Sequence, residues 1–193
     1  MYNKVLVPLD GSTLSEISLT YLAALAARLE TLDIEMALLY VCHKRNGEFD
    51  PADRSYVEGK AAEVQRRLSE AQQKSDLHAG EKPVEVKGVL VEGHPAEAIL
   101  SYAEDNSMDL IMMTTHGQSG LLRWAMGSVA YKVVHASNIP VWIIPSKDST
   151  WSIIVTPRVS GNFQTFNRIA FFTTITPSLF YNLFYPFNTN NFH

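Results

Sequence analysis

Short apolar runs alternate with longer, helix-patterned stretches along most of this chain, and that alternation predicts a parallel sheet covered by helices. Residues 4–9 read as a first strand, and residues 34–41, 84–91, 108–114 and 140–145 as the second to fifth. Behind the first strand, Ser12 can cap a helix with Ser15 and Glu16 in its opening turns. Ile17, Leu19, Leu22, Leu25 and Leu29 form that helix's apolar face. Residues 52–74 are polar and charged with sparse apolar positions, and read as the second helix. The third, residues 95–105, begins on Pro95, suited to a first helical turn because the amide it lacks has no partner there. A fourth helix fills the gap before the last strand, where residues 129–134 carry apolar side chains at helical spacing.

The junction between the fourth strand and the fourth helix carries the candidate chemistry. The apolar run Asp109–Thr114 leads into Thr115, His116 and Gly117, and after nine residues the chain reaches Gly127 and Ser128. Gly117 permits a sharp turn, and Gly127 lets main-chain amides approach an anion without a Cβ in the way. Ser128 adds a hydroxyl donor. The amides of Gly127, Ser128 and Val129, with the positive end of the helix dipole, suit phosphate oxygens. Two glycines that only make turns would leave the same pattern.

These residues resemble the universal stress protein family, whose nucleotide-binding members carry G-x2-G-x9-G-[ST] at this junction. Gly117, the spacer Gln118–Met126 and Gly127-Ser128 match the second and third glycines and the hydroxyl position, while Thr114 stands in the place of the first glycine. Three further segments agree in order and spacing: Val5–Ser12, Val91–Pro95 and Ile139–Pro145. Together they cover roughly residues 1–146. The resemblance, with right-handed crossovers, implies a Rossmann-like α/β domain with a five-stranded parallel sheet in the order 3-2-1-4-5 and helices on both faces. The switch point would lie between strands one and four, where Asp10 and the Gly117 loop would meet.

The same resemblance implies a site. Asp10 stands where the family's acidic adenosine contact stands, although an aspartate there also suits helix capping. Pro8 and Val41 would wall the base pocket, Val41 through its backbone. Gly93 would approach the ribose or simply make a tight strand-to-helix turn, and His94 is read as part of that turn. Thr114, Gly117, Gly127, Ser128 and Val129 would surround the phosphates. The implied ligand is ATP, ADP or AMP, with Mg2+ as companion, bound as a regulatory ligand in a stress response. The implied assembly is a homodimer in which the edges of residues 141–144 pair antiparallel about a two-fold axis.

Composition narrows the alternatives. With 193 residues, 46% of them hydrophobic, the chain can bury one sizeable core, and it divides into a domain over residues 1–146 and an extension over 147–193. Before residue 149, fourteen basic residues face twenty acidic ones, a formal charge of −6 that makes nucleic acid an unexpected partner. The chain runs into its first strand without a basic and apolar leader, which predicts the cytoplasm. Cys42 is the single cysteine, so no internal disulfide forms, and Cys42, His43, His94 and His116 lack the close ligand pairs of a metal site. Met112 and Met113 fall in a central strand and read as core. His116 without a positioned carboxylate or nucleophile is weak ground for catalysis, and Arg123 reads as a solvated loop residue.

Catalysis is therefore not expected, with slow ATP hydrolysis left open. Nucleotidyl transferases of similar architecture carry His-x-Gly-His, and ATP pyrophosphatases carry Ser-Gly-Gly-x-Asp-Ser; neither occurs here. The remaining alternative is an interaction protein of the family that does not bind nucleotide, for which Thr114 is the supporting feature.

The extension differs from everything before it. From residue 149 onward it holds eleven of the chain's twenty aromatic residues, no acidic residue, and Arg158 and Arg168 as its strong bases. Neither helical nor sustained alternating periodicity runs through it, so no fold is assigned. Ile169–Phe187 is apolar but interrupted by Thr173, Thr174, Thr176, Pro177, Ser178 and Asn182, and no bilayer span is expected. A shifted reading frame or a fused sequence would account for the break; a genuine tail would offer exposed aromatics for docking or aggregation.

Overall fold

Successive side chains of a strand point to opposite faces of its sheet, and here that alternation divides the core in two. The computed structural model describes residues 3–26, 34–73, 84–115, 126–144, 152–155 and 169–172. In chain order these form β1 (Lys4–Leu9), α1 (Ile17–Ala26), β2 (Glu35–Cys42), α2 (Pro51–Gln73), β3 (Glu85–Glu92), α3 (Pro95–Asp105), β4 (Leu110–Thr114), α4 (Ser128–Ala136), β5 (Val141–Ile144), β6 (Ser152–Val155) and β7 (Ile169–Phe172). Val5, Val7, Met36, Leu38, Met112 and Trp142 face α1 and α2. Leu6, Leu39, Ile111, Met113 and Ile143 face α3 and α4. The adjacent methionines of β4 thus serve opposite cores.

The helices follow from the same economy of burial. In α2 the buried positions are Val57, Ala61, Val64 and Leu68, one narrow stripe on an otherwise charged helix. The Ser12 hydroxyl oxygen accepts the Ser15 amide at 3.1 Å, and i→i+3 bonds such as Ile17 N–H to Leu14 C=O tighten the turn that leads into α1. β4 begins two residues later than its apolar run predicts. Ser107 adopts φ 51° and the Met108 amide returns to the Ala103 carbonyl, so this turn belongs to the end of α3.

β1 to β5 pair in parallel in the order β3-β2-β1-β4-β5, with helices on both faces, as expected. The sheet does not stop there. β6 pairs antiparallel with β5 (Val141↔Val155, Trp142↔Ile154, Ile143↔Ile153), and β7 pairs antiparallel with β6, giving seven strands. This fills in part of the extension, which had no assigned fold, and corrects one expectation. Part of the extension joins the sheet, because Ser-Ile-Ile-Val and Ile-Ala-Phe-Phe are rich in the β-branched and aromatic residues that strands favour. Residues 141–144 are also not the sheet's edge in this structure, since their outer main-chain groups are met by β6. Among the described residues, no helix is long and apolar enough to cross a membrane.

Candidate functional site

β1 and β4 are neighbours (Val5↔Leu110, Leu6↔Ile111), yet the chain leaves them toward opposite faces, through α1 after β1 and α4 after β4. Such a divergence opens a crevice at the carboxyl ends of the strands. A cleft of about 450 Å³ lies there. Pro8, Leu9 and Asp10 line it from β1, Tyr40 and Val41 from β2, and Met113, Thr114 and Thr115 from the end of β4. α3 contributes Pro95 and Ile99, and the start of α4 contributes Gly127, Ser128, Val129 and Ala130.

The β1 wall is held by a turn of hydroxyls. One carboxylate oxygen of Asp10, Oδ1, accepts the Ser12 amide at 3.0 Å and the Ser12 hydroxyl at 2.6 Å. Ser15 Oγ accepts the Asp10 amide at 3.4 Å and donates to the Ser12 carbonyl at 2.9 Å. Gly11 makes the reversal possible at φ +79°, a conformation side chains rarely adopt, with the Tyr40 hydroxyl close above it. The capping and cleft-lining readings of Asp10 therefore coexist: the turn orients a carboxylate that also lines the cleft. Val41 sits one residue beyond Leu9↔Tyr40, the last rung β2 shares with β1. At that point the β1-facing side of β2 has no paired strand residue, which suits main-chain contact with a flat ligand.

The opposite wall is the amino end of α4. Tyr131 donates its amide to the Gly127 carbonyl at 2.8 Å, closing the first turn. By helix geometry the preceding amides, those of Ser128, Val129 and Ala130, have no acceptor within the helix. The Gly127 amide, expected among the free donors, is instead given to the Thr115 carbonyl at 2.7 Å. This bond ties α4 to the end of β4, and the Thr115 amide in turn donates to the Ile144 carbonyl at 3.0 Å. The donor set is thus shifted one residue along α4. Gly127 has φ −58° and ψ 151°, open to any residue, so the glycine matters for room and not for backbone shape.

Of the predicted site residues, Pro8, Asp10, Val41, Thr114, Gly127, Ser128 and Val129 line one cleft. Gly93 does not line it; at φ +143° it makes the turn from β3 to α3, while Pro95 and Ile99 behind it reach the cleft. Gly117, His116 and Arg123 lie outside the described residues. Sequence reasoning missed Tyr40, Ser15, Met113 and Thr115 as lining groups. Tyr40 packs edge-on against Tyr56 of α2 with centroids 5.3 Å apart, and the Tyr56 hydroxyl donates to Glu16 at 3.1 Å. Burial, and after it the nearby Asp53 carboxylate, raises the Tyr40 pKa, so its hydroxyl stays neutral and able to donate. Cys42 is no nucleophile at neutral pH: burial and the adjacent Asp53 push its thiol up to about 11. Among the described lining residues, Asp10 is the single carboxylate and no lysine or arginine appears.

This combination of fold and cleft defines an open, doubly wound α/β domain, a class whose ligand sites lie at the carboxyl edge of the sheet. The model of the Universal stress protein family matches residues 1–145, and the chain belongs to that family. Universal stress protein MJ0577 of Methanocaldococcus jannaschii is 32% identical over 166 residues, covering 77% of this chain and 98% of the relative. Universal stress protein YxiE of Bacillus subtilis is 29% identical over 148 residues, covering 75% and 99%. The solved structure of MJ0577 superposes with a TM-score of 0.52 at 29% identity, over 77% of this chain and 99% of that one. A universal stress protein solved in complex with cAMP shares the fold, with a TM-score of 0.50 at 22% identity over 74% and 96%.

Proposed function

We propose that the chain binds ATP or a related adenine nucleotide in this cleft as a regulatory ligand. The observation that carries the reading is the cleft's polarity. One wall presents the Asp10 carboxylate, an acceptor, and the other presents the first-turn amides and dipole of α4, which favour an anion. A ligand that fits must have a hydrogen-bond-donating end and an anionic end, and must fill about 450 Å³. An adenine nucleotide meets all three conditions: ribose hydroxyls or the adenine amine toward Asp10 and Val41, phosphates toward Ser128, Val129 and Ala130. The reverse orientation would set phosphates against a carboxylate. Pro8, Met113 and Ile99 supply apolar surface for the base, and Thr114 and Ser128 supply hydroxyls.

Mg2+ would enter with the triphosphate, held largely by the phosphates themselves, as that ion usually is. A single carboxylate, with no histidine or lysine among the described lining residues, supports a binding module over a turnover enzyme. An interaction protein of the family that binds no nucleotide is the second reading, favoured by the Thr114 side chain where the motif has glycine.

Calorimetry with ATP, ADP and AMP, with and without Mg2+, separates these readings. The expected result is saturable binding, with Gly127→Val weakening ATP at least about tenfold, equivalent to ~1.4 kcal/mol. Because valine is allowed at the Gly127 dihedrals, that variant should keep the parent circular dichroism spectrum. Unchanged ATP affinity in folded Gly127→Val would reject the phosphate placement, and no binding by the parent would leave the interaction protein. Phosphate release faster than roughly one per second, the low end of ordinary enzymes, would make the chain an ATPase.

A further inference from the structure

β2, β1 and β4 lie side by side, so Val41, Asp10 and the amino end of α4 border the cleft in that order across it. Val41, one residue beyond the last rung that β2 shares with β1, leaves room for a flat base against its main chain, and its carbonyl can accept an amine. The first-turn amides of α4 favour phosphates. The sugar that joins base to phosphates then falls to the middle wall, where Asp10 lies.

Tyr40 brings a second polar group to that middle wall. It leaves β2 opposite Leu9, but its hydroxyl reaches the turn after β1: a Cβ on Gly11 would lie 3.7 Å from the hydroxyl oxygen and 3.8 Å from Cε2. Gly11 has none, which leaves space beside the hydroxyl. Tyr56 holds the half-buried ring edge-on and is itself tied to Glu16. No described residue hydrogen-bonds the Tyr40 hydroxyl, and a half-buried donor without a partner is one that a ligand can satisfy. Asp10, the residue after Leu9, is near enough for its charge to act on that hydroxyl. The middle wall therefore sets a carboxylate acceptor near a neutral hydroxyl donor. A sugar hydroxyl serves both with one oxygen, donating to Asp10 and accepting from Tyr40. An adenine amine only donates.

On the adenine-nucleotide reading, on which this rests, we infer that Tyr40 determines sugar specificity: its hydroxyl, with the Asp10 carboxylate, holds a ribose hydroxyl, so that the cleft requires an intact ribose. A site built to bond a ligand hydroxyl rejects the analogue that lacks it, because its own polar groups are then left unpaired.

Calorimetry of the full chain with ATP, 2′-deoxy-ATP and 3′-deoxy-ATP tests this. In the parent, at least one deoxy analogue should bind about tenfold more weakly than ATP, the size of one lost hydrogen bond. In Tyr40→Phe, which keeps the ring, that penalty should shrink to about threefold or less. Tyr56→Phe breaks the Glu16 bond but leaves a ring against Tyr40, and should keep the parent penalty. A parent that binds ATP and both analogues alike, or a folded Tyr40→Phe protein with the parent penalty, would overturn the inference and leave the nucleotide reading standing. A penalty erased equally by Tyr56→Phe would make Tyr40 a structural neighbour of the site and overturn it too. A parent that binds none of the three overturns the nucleotide reading itself, and the inference with it. Should Tyr40→Phe lose the parent circular dichroism spectrum, the parent's own penalties decide alone.

Discussion

Adding one methyl group at Gly88 should loosen the packing of α2 on the sheet. Gly88 sits in β3, opposite Leu38 of β2, and α2 passes directly over it. A Cβ built there would lie 2.8 Å from the Val57 carbonyl oxygen, 2.9 Å from its carbon and 3.0 Å from the Glu58 nitrogen. All three atoms belong to the α2 backbone, so no rotamer change relieves the contact; the helix must lift or the strand must bend. Overpacking of this kind costs roughly 1–3 kcal/mol. At about 2–4 °C per kcal/mol for a chain of this size, Gly88→Ala should melt roughly 2–12 °C below the parent. Gly59 supplies the opposite sign from the same helix. It is exposed in the interior of α2, with nothing within 4 Å of its would-be Cβ. Gly59→Ala should stabilise by about 0.5–1 kcal/mol through lost backbone freedom in the unfolded chain. Thermal unfolding followed by circular dichroism measures both. A Gly88→Ala protein as stable as the parent, beside a stabilised Gly59→Ala, would show that α2 does not approach β3 as closely as described. The site has a stake in the result, because α2 carries Tyr56 against the cleft residue Tyr40.

Two titrations are accessible without a ligand. Alkylation of Cys42 by iodoacetamide should rise with a midpoint near pH 11, and Asp53→Asn should bring that midpoint down; a parent midpoint at or below 9 would refute the assigned burial and carboxylate effect. Glu35 has its pKa lowered, first by its hydrogen bond to Lys87 and also by the charges of Lys87 and Lys4. A depressed carboxylate stabilises the fold above its unfolded pKa and loses that contribution as pH falls through the lower folded value. Glu35→Gln should therefore flatten the decline in urea midpoint between neutral pH and about pH 3, by less than ~1 kcal/mol because the pair is partly exposed. Identical slopes for parent and variant would reject the assignment.

How far the sequence could be read depended on how locally each feature is determined. The five parallel strands were legible because strands buried on both faces read as unbroken apolar runs, as in Leu110–Met113. The limits of α2 were legible to one residue because Val57, Ala61, Val64 and Leu68 repeat at helical spacing over a charged background. β6 and β7 were not, since runs of three or four apolar residues show no period and their partner lies several residues away. Asp10, Thr114 and Gly127 could be picked out by motif spacing, whereas Tyr40 lines the cleft from the last rung that β2 shares with β1, and Ser15 from the turn before α1, positions that carry no motif. No spacing rule could show that the Thr115 carbonyl would claim the Gly127 amide. That contact joins a strand end to a helix start across eleven intervening residues.

Thr114 stands where the family's motif has glycine, and the structure limits what that replacement can do. Glycine is required where φ is positive or where a neighbour leaves no room for a Cβ. Thr114 ends β4 in register with Ile144, and among the described non-glycine residues only Asn46 and Ser107 have positive φ. A β-branched residue suits that extended position, so the backbone carries no strain there. What changes is the wall itself. A side chain now borders the cleft between the Asp10 and α4 walls, taking up room and adding a hydroxyl that can donate to an oxygen of the ligand. If the cleft holds an adenine nucleotide, the added bulk lies beside the phosphate path and the added donor compensates for it best when the phosphate chain is short. On the proposed reading Thr114 bears on the choice among ATP, ADP and AMP, while the polarity set by Asp10 and the amino end of α4 favours a ligand with one donating and one anionic end.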